Sequence, residues 1–231
     1  MSLSRRNFLR AALAAGGFGV TPALRGQTSS YLRGIDISHW QGTINWSQAK
    51  ASGLTFAFCK ATEGTTYVDP TFATNWAAMK QVGLVRGAYH FGRPGSDPVV
   101  QGKLFVDTVK PAKGDLQLVL DLEATDGLNA AQVWLWTQKF AAQIQKRTAR
   151  PGIIYCSPSF WMTNVGNPTN NLNCALWIAN WNVTSPTVPR AWSGWTFWQY
   201  SSTGSTPGIS GNVDQDYFNG SLTQLQKLTL P

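Results

Sequence analysis

Charge is scarce in this sequence. Only 13% of its 231 residues are charged, and just 11 of them are acidic. No Lys/Arg-rich run occurs after residue 26, which argues against a nucleic-acid groove. There are two histidines, His39 and His90, too few for the several-His sets common in metal-dependent hydrolases. The three cysteines, Cys59, Cys156 and Cys174, form no C-x-x-C pair and no Cys/His cluster, so a structural zinc site is not expected. Cys156 and Cys174 bracket one loop, but they belong at opposite ends of neighbouring parallel strands. A bridge needs Cα atoms within about 7 Å, so no disulfide is expected. Low-complexity segments, linkers and internal repeats are also absent, which leaves one folded unit long enough for a real core.

What the chain has in abundance is indole, with 11 Trp in a protein that is 12% aromatic. Core packing is expected to take about half of them. The remainder suggest a stacking surface for flat, half-apolar rings such as sugars. The N-terminus is also distinctive. "SRRNFLR" precedes "AALAAGGFGV", an apolar stretch too short to span a membrane in a folded protein. A basic region and a short apolar region read as an export signal, and the Arg5–Arg6 pair resembles a twin-arginine (Tat) signal. Residues 1–26 are assigned to it, with the cleavage point open. Those residues hold four Arg and no acid, so residues 27–231 keep 15 basic against 11 acidic residues. That mild positive charge suits an anionic wall polymer, and it also suits simple solubility.

Along residues 27–231, short apolar runs alternate with helical stretches. The expected strands are "GIDIS", "TFAFCKA", "LVRGAYHF", "LQLVLDLE" and "PGIIYCS". Helices are expected over "TINWSQAKASG", "PTFATNWAAMKQVG", around "SDPVVQGKLFVDTVK", and over "NAAQVWLWTQKFAAQIQKRT". The last carries Val133, Trp136, Phe140 and Ile144 on one face and Asn129 as its N-cap. After "PGIIYCS" the pattern changes. "ALWIANW", "WTFWQYS" and "NVDQDYF" read as strands joined by loops. Alternating β and α predicts a parallel sheet with helices outside. Eight strands in about 200 residues predict a compact α/β barrel that lacks its last helices. In such barrels the functional groups stand at the C-terminal ends of the strands.

The few acids fall at those places. Asp36 lies in "GIDIS", Asp121 and Glu123 end "LQLVLDLE", and Asp214 lies in "NVDQDYF". Residues i and i+2 of a strand point the same way, so Asp121 and Glu123 share a side. Closure would make the first and last strands neighbours and bring Asp36 and Asp214 to the same mouth. Tyr89, Tyr155, Trp181, Trp198 and Tyr200 are the aromatic candidates around it. Rings beside carboxylates are what a glycan cleft uses. Other readings stay open: Asp36 could cap a turn, His90 could be a core histidine, Asp216 could be the inward acid instead of Asp214, and the rings of "WTFWQY" could be core.

"GIDISHWQGTINW", "FCKATEG", "GAYHF", "LVLDLE", "WIANW", "FWQYSS" and "PGISGNVDQDYF" occur in the order found in glycoside hydrolase family 25, the Chalaropsis-type lysozymes. The resemblance spans residues 33–220. It implies a modified TIM-like barrel of five β/α units followed by three strands, residues 27–231 as one catalytic domain, and no metal or cofactor. It implies cleavage of the β-1,4 bond between N-acetylmuramic acid and N-acetylglucosamine in peptidoglycan, with Glu123 as general acid, Asp121 as its partner, and Asp36 and Asp214 as the other active-site acids. Glycan strands are the implied partner; no nucleic acid, no stable membrane insertion after processing and a monomeric chain are expected besides. Two departures are modest: Asn45 stands where the family often has Asp, and Cys59 replaces an aliphatic residue.

Glycoside hydrolysis needs one protonated and one ionised carboxyl group. Glu123 is expected to be held protonated by burial and by the Asp121 charge. Asp121 could be the nucleophile, or it could orient the substrate's 2-acetamido group for attack on its own anomeric carbon. Two acids pointing one way from a single strand favour the second route, and they argue against inversion, which needs roughly 6.5–9.5 Å between carboxyls. Two other functions compete: a wall-binding module with a dead site, and a metal hydrolase using Asp36, His39 and Asp214.

Overall fold

The structure, a computed structural model, describes residues 31–231. The export-signal reading of residues 1–26 therefore lies outside the described residues. Strand β1 (Leu32–Ile37) leads into a short 3₁₀ turn (His39–Gln41) and helix α1 (Trp46–Ala51). Next come β2 (Phe56–Glu63), a two-residue strand β3 (Tyr67–Val68) and α2 (Phe72–Gln81). The pairs β4 (Val85–Phe91) with α3 (Pro98–Val109), β5 (Val119–Asp121) with α4 (Ala130–Thr148), and β6 (Ile153–Cys156) with α5 (Pro158–Asn164) complete five β/α units. Strands β7 (Ala175–Ala179), β8 (Phe197–Gly204) and β9 (Val213–Phe218) follow, and α6 (Leu222–Lys227) ends the fold.

The sheet order is β1-β9-β8-β7-β6-β5-β4-β2-β3, and β1 also pairs with β2. Eight strands thus close a barrel, and β3 hangs on β2 as an outer hairpin. All barrel pairings are parallel except those of β9, which is antiparallel to both β1 and β8. The all-parallel expectation is corrected there. With no helix between β8 and β9, a loop of only 205–212 returns the chain directly, and a direct return makes an antiparallel pair. At β9 the mouth is consequently reached by the start of the strand and not by its end. The short helix α6 and the hairpin strand β3 were not expected, and α5 was implied only by the resemblance's fifth β/α unit.

Alternation along the strands separates two cores. Phe56, Phe58, Val119, Ile153, Trp177, Phe197 and Phe218 fill the barrel, and Leu225 of α6 packs into the same cluster. Gly34 and Gly87 make room for this filling: a Cβ on either would fall 2.2 Å from the ring of Phe56 or Phe58. The opposite strand faces, with Ile35, Ala57, Cys59, Leu120, Ile154 and Ile178, pack against the helices. Helix α4 supplies Val133, Trp136, Phe140 and Ile144 to this outer layer. Burial of such side chains stabilises by roughly 1.5–3 kcal/mol each. Its start is fixed by Asn129, whose side chain accepts from Gln132 N while the Gln132 side chain accepts from Asn129 N.

The two family departures fit this frame. Asn45 caps α1 by accepting from Gln48 N at 3.1 Å, a task Asn and Asp perform equally well. Cys59 is a small, fully buried residue of the outer layer. All three cysteines are buried and free. His90 is also outer core: its ring nitrogens meet Thr62 Oγ1 at 2.7 Å and Gln101 Oε1 at 2.9 Å. It stacks on Phe140, and burial lowers its pKa to about 4, so it is neutral.

Candidate active site

Strand β5 carries Val119 and Asp121 inward and Leu120 outward, and the alternation continues past its end. Leu122 packs outward and Glu123 returns to the barrel axis. In the neighbouring strands the same phase sends Tyr89, Tyr155 and Trp177 inward. Together with Asp36, Gln199, Ser202, Trp181 and Asp214 they line a cavity of about 210 Å³ at the mouth. Register accounts for Asp36 and Asp214, which are direct cross-strand partners between β1 and β9.

A chain of hydrogen bonds crosses the cavity wall. Gln199 is its hub: it donates from Nε2 to Asp36 Oδ2 at 2.7 Å, and its Oε1 accepts from Tyr155 Oη at 2.9 Å and from Trp181 Nε1 at 3.0 Å. Deeper in the barrel, Trp177 Nε1 donates to Asp216 Oδ1 at 2.8 Å. Asp214 and Asp216 both face inward. Asp214 is at the rim and Asp216 is fully buried below it.

The five carboxyls crowd one another: Asp121 lies beside Glu123, and Asp36 beside Asp216 and Asp214. No protein donor reaches Asp121 Oδ1 or Asp216 Oδ2. Neighbouring buried carboxyls resist being ionised together, so each such pair favours binding a proton. Burial pushes Asp121 well above the usual carboxylate range, and the Glu123 charge adds to this. Glu123 is also raised by burial, while its bond from Asp121 and the Lys60 charge oppose that rise. Both members of the pair are thus pushed toward the protonated form, and the proton they favour belongs to the pair. Burial, then the charges of Asp216 and Asp214, likewise raises Asp36. Asp214 is raised to about 6 by burial, then by Glu123.

Seven of the sequence-derived candidates meet here: Glu123, Asp121, Asp36, Asp214, Tyr89, Tyr155 and Trp181. Trp198 and Tyr200 do not. They point to the outer face, where Trp198 Nε1 donates to Asn180 O and Tyr200 stacks on Tyr217 at 4.1 Å. Phe197 and Gln199 hold the inward phase of β8, and two residues one step out of phase face away. Trp177, Gln199 and Ser202 were missed. Trp177 was within reach of the sequence, because it lies four residues before Trp181 and so shares its side of a strand.

His39 is bonded to Asp69 at 2.9 Å, away from Asp36 and Asp214. Among the described residues no cluster of three or more His, Cys, Asp or Glu is arranged to hold a metal ion. The cavity offers carboxyls pushed toward their protonated form and flat aromatic walls. A second hollow of about 440 Å³ opens beside it, shares Glu123 and Trp181, and runs past Ser157, Met162 and Asn180. Glu123 thus stands between two compartments.

Comparison with known proteins gives this geometry a family. Residues 35–209 match the model of "Glycosyl hydrolases family 25". Lysozyme M1 of Streptomyces globisporus is 42% identical over 211 residues, covering 87% of this chain and 72% of that protein. An N,O-diacetylmuramidase from Chalaropsis sp. is 32% identical over 212 residues, covering 85% of this chain and 98% of that one. The crystal structure of a bacterial lysozyme from Streptomyces coelicolor superposes with a TM-score of 0.84 at 41% identity, over 87% of this chain and 98% of the other. A barrel of five β/α units and three further strands, with its acids gathered at one mouth and these relatives beside it, belongs to glycosyl hydrolase family 25.

Proposed function

We propose that this protein is a muramidase that hydrolyses the β-1,4 bond between N-acetylmuramic acid and N-acetylglucosamine, with Glu123 as general acid and Asp121 acting through the substrate's 2-acetamido group. Peptidoglycan hydrolysis follows from family membership and from relatives named lysozyme and muramidase. The finer assignment rests on the carboxyl pair Asp121–Glu123, set one above the other over the smaller cavity and beside the larger hollow.

The bound sugar fills the Asp121 side, with its neighbour beyond Glu123. The acetamido N–H donates to an oxygen of Asp121, which favours the Asp121 carboxylate and leaves the pair's proton on Glu123. Glu123 gives that proton to the glycosidic oxygen as the bond to the anomeric carbon breaks. The acetamido oxygen supplies the electron pair that closes a ring on the anomeric carbon, and the Asp121 carboxylate balances its charge. Water then enters, Glu123 takes its proton, and the anomeric carbon is returned with its configuration retained. Tyr155 and Trp181, held through Gln199, shape the walls around the ring. Burial and their neighbouring charges push Asp36 and Asp216 toward the protonated form below, which limits the negative charge beneath the sugar.

Digestion of purified peptidoglycan in the presence of a chelator tests this reading. New reducing ends on N-acetylmuramic acid are expected. Reducing ends on N-acetylglucosamine, or loss of activity with chelator, would overturn it. Export through a Tat-type signal in residues 1–26 belongs to the same proposal, because the substrate lies outside the cytoplasm. Replacing Arg5 and Arg6 together by Lys is expected to hold the precursor inside the cell, and undiminished export would refute the Tat route. Among the described residues, no helix is long and apolar enough to cross a membrane.

A further inference from the structure

The cavity and its neighbouring hollow leave one feature at the mouth unexplained. Trp40 is 82% exposed, the most exposed of the large apolar side chains among the described residues. It sits in the 3₁₀ turn that leaves β1 just beyond Asp36, and this turn is tightly built. Gln41 accepts from Ser38 N at 2.9 Å and donates to Asn212 O at 3.3 Å. The His39 ring supports the indole, with centroids 4.6 Å apart. His39 is fixed in turn by buried Asp69, which accepts from its backbone N at 3.0 Å and from Nδ1 at 2.9 Å. The other Asp69 oxygen is taken by Thr71 N and Oγ1.

The surface continues towards the acids. Tyr67, 39% exposed, lies 6.4 Å from the His39 ring, and Lys60 Nζ is 5.5 Å from the Tyr67 ring. The Lys60 charge acts on both Asp121 and Glu123. Lys60 thus lies beside Tyr67 while its charge bears on the acids, which puts the platform on the same side of the mouth. On the other rim stands Trp181, 45% exposed, just after β7. In the closed barrel three strands separate β2 from β7 in either direction. Tyr67 and Trp181 thus mark opposite rims, and a line between them crosses the acids.

We propose that Trp40, backed by His39 and extended by Tyr67, is a stacking subsite for a pyranose ring of the glycan strand, beyond the sugars held at Asp121 and Glu123. This rests on the muramidase reading above. Sugar faces carry C–H groups that lie flat on indole and phenol rings. The nearby cations are already paired with acids, which weakens their pull on the acidic stem peptide and leaves the rings to a sugar face. Lys60 is bonded to Glu63 at 2.6 Å, and Arg93 pairs with Asp126 at 3.0 Å. The rigid mounting of the exposed ring also fits a binding role, because a pre-set ring loses little freedom when a ligand stacks on it.

The test is Trp40→Ala assayed on two substrates, long glycan strands freed of stem peptides by an amidase and short soluble glycan fragments cut from the same strands. On the long strands KM is expected to rise by about tenfold while kcat stays nearly constant, the pattern of a lost binding contact away from the reacting bond. Trp40→Phe should recover part of the loss. On short fragments the variant should match the wild type. An equal loss on both substrates, or no loss on either, overturns the subsite. A loss seen only when the stem peptides are present assigns the platform to peptide and also overturns it. Failure of the muramidase reading looks different, because the wild type would then cleave neither substrate.

Discussion

The two ends of the barrel treat their acids in opposite ways. At the floor, Asp115 is buried against Arg86, with Nε to Oδ1 at 2.6 Å and Nη2 to Oδ2 at 3.2 Å. The guanidinium also donates to Trp76 O and lies 3.8 Å from the centre of the Trp76 ring. Asp107, lower on α3, pairs with Lys103 and Arg147. At the mouth, five carboxyls face inward and Lys60 is the cation whose charge bears on Asp121 and Glu123. A buried charge is tolerable when paired, and otherwise the group binds a proton. The floor uses the first solution and gains order. The mouth uses the second and gains exchangeable protons, at a cost in stability that a site can carry and a scaffold would not.

The largest expected effect comes from the reacting pair. Glu123→Gln keeps size and polarity but cannot donate a proton to the leaving oxygen. Turnover on peptidoglycan should fall about 10²–10⁴-fold, the usual range for general acid catalysis, with folding intact by circular dichroism. Asp121→Asn should also cripple turnover. The alkaline limb of its residual pH–rate profile should move to lower pH. That limb belongs to the pair, whose last proton is hard to lose because its departure leaves two adjacent carboxylates. Near wild-type turnover in Glu123→Gln, or a limb that moves up in Asp121→Asn, would remove these two residues from the mechanism.

At the floor the same kind of substitution should damage the fold and not the chemistry. Asp115→Asn strands the Arg86 guanidinium in a buried place. Breaking a buried pair from one side costs about 3–5 kcal/mol, which a urea titration of both proteins would read as a lower midpoint. The kcat of the folded fraction should be unchanged. If stability is untouched, the pair has no structural role and the contrast between the two ends disappears.

The mouth's side of this contrast was legible in the sequence, for physical reasons; the Arg86–Asp115 pair of the floor was not. The side-chain period of two makes Asp121 and Glu123 share a face wherever the strand lies, and alternating helical and extended stretches demand a parallel core. What escaped depends on information that a single strand does not hold. "WTFWQYS" is apolar on both faces, because one lines the barrel and the other meets outer-layer rings such as Trp195 and Tyr217. Its phase could not be read from pattern, and Trp198 and Tyr200 were placed on the wrong side. Asp216 was weighed as a replacement for Asp214, whereas both face inward at different depths. The direction of β9 was hidden because its short return loop looks like any other. Trp40 escaped for a different reason: nothing in "SHWQG" distinguishes an indole in solvent from one in the core.

The smallest predicted effect is also the most direct measure of what the mouth gives up. Asp214 carries a carboxyl raised from 3.8 to about 6, first by burial and then by Glu123. A carboxyl raised on folding binds its proton more tightly in the native state than in the unfolded one. Its contribution to stability is therefore fully present below about pH 4 and is lost as pH rises through about 6. Asp214→Asn removes the ionisation but keeps the shape. At about pH 8 the wild-type group is a partly buried carboxylate beside Glu123, and the amide should be the more stable occupant. Because the carboxyl is partly open to water, the gain is discounted to about 1 kcal/mol, or roughly 2–4 °C in Tm for a chain of this size. At about pH 4 the wild-type carboxyl is already largely protonated, so the two proteins should melt together. Thermal melts of both proteins at the two pH values make the comparison, and activity should fall in the variant because Asp214 lines the cavity. A variant that melts lower than the wild type at about pH 8 would mean that the Asp214 carboxylate is stabilised by its surroundings, and the mouth would then resemble the floor.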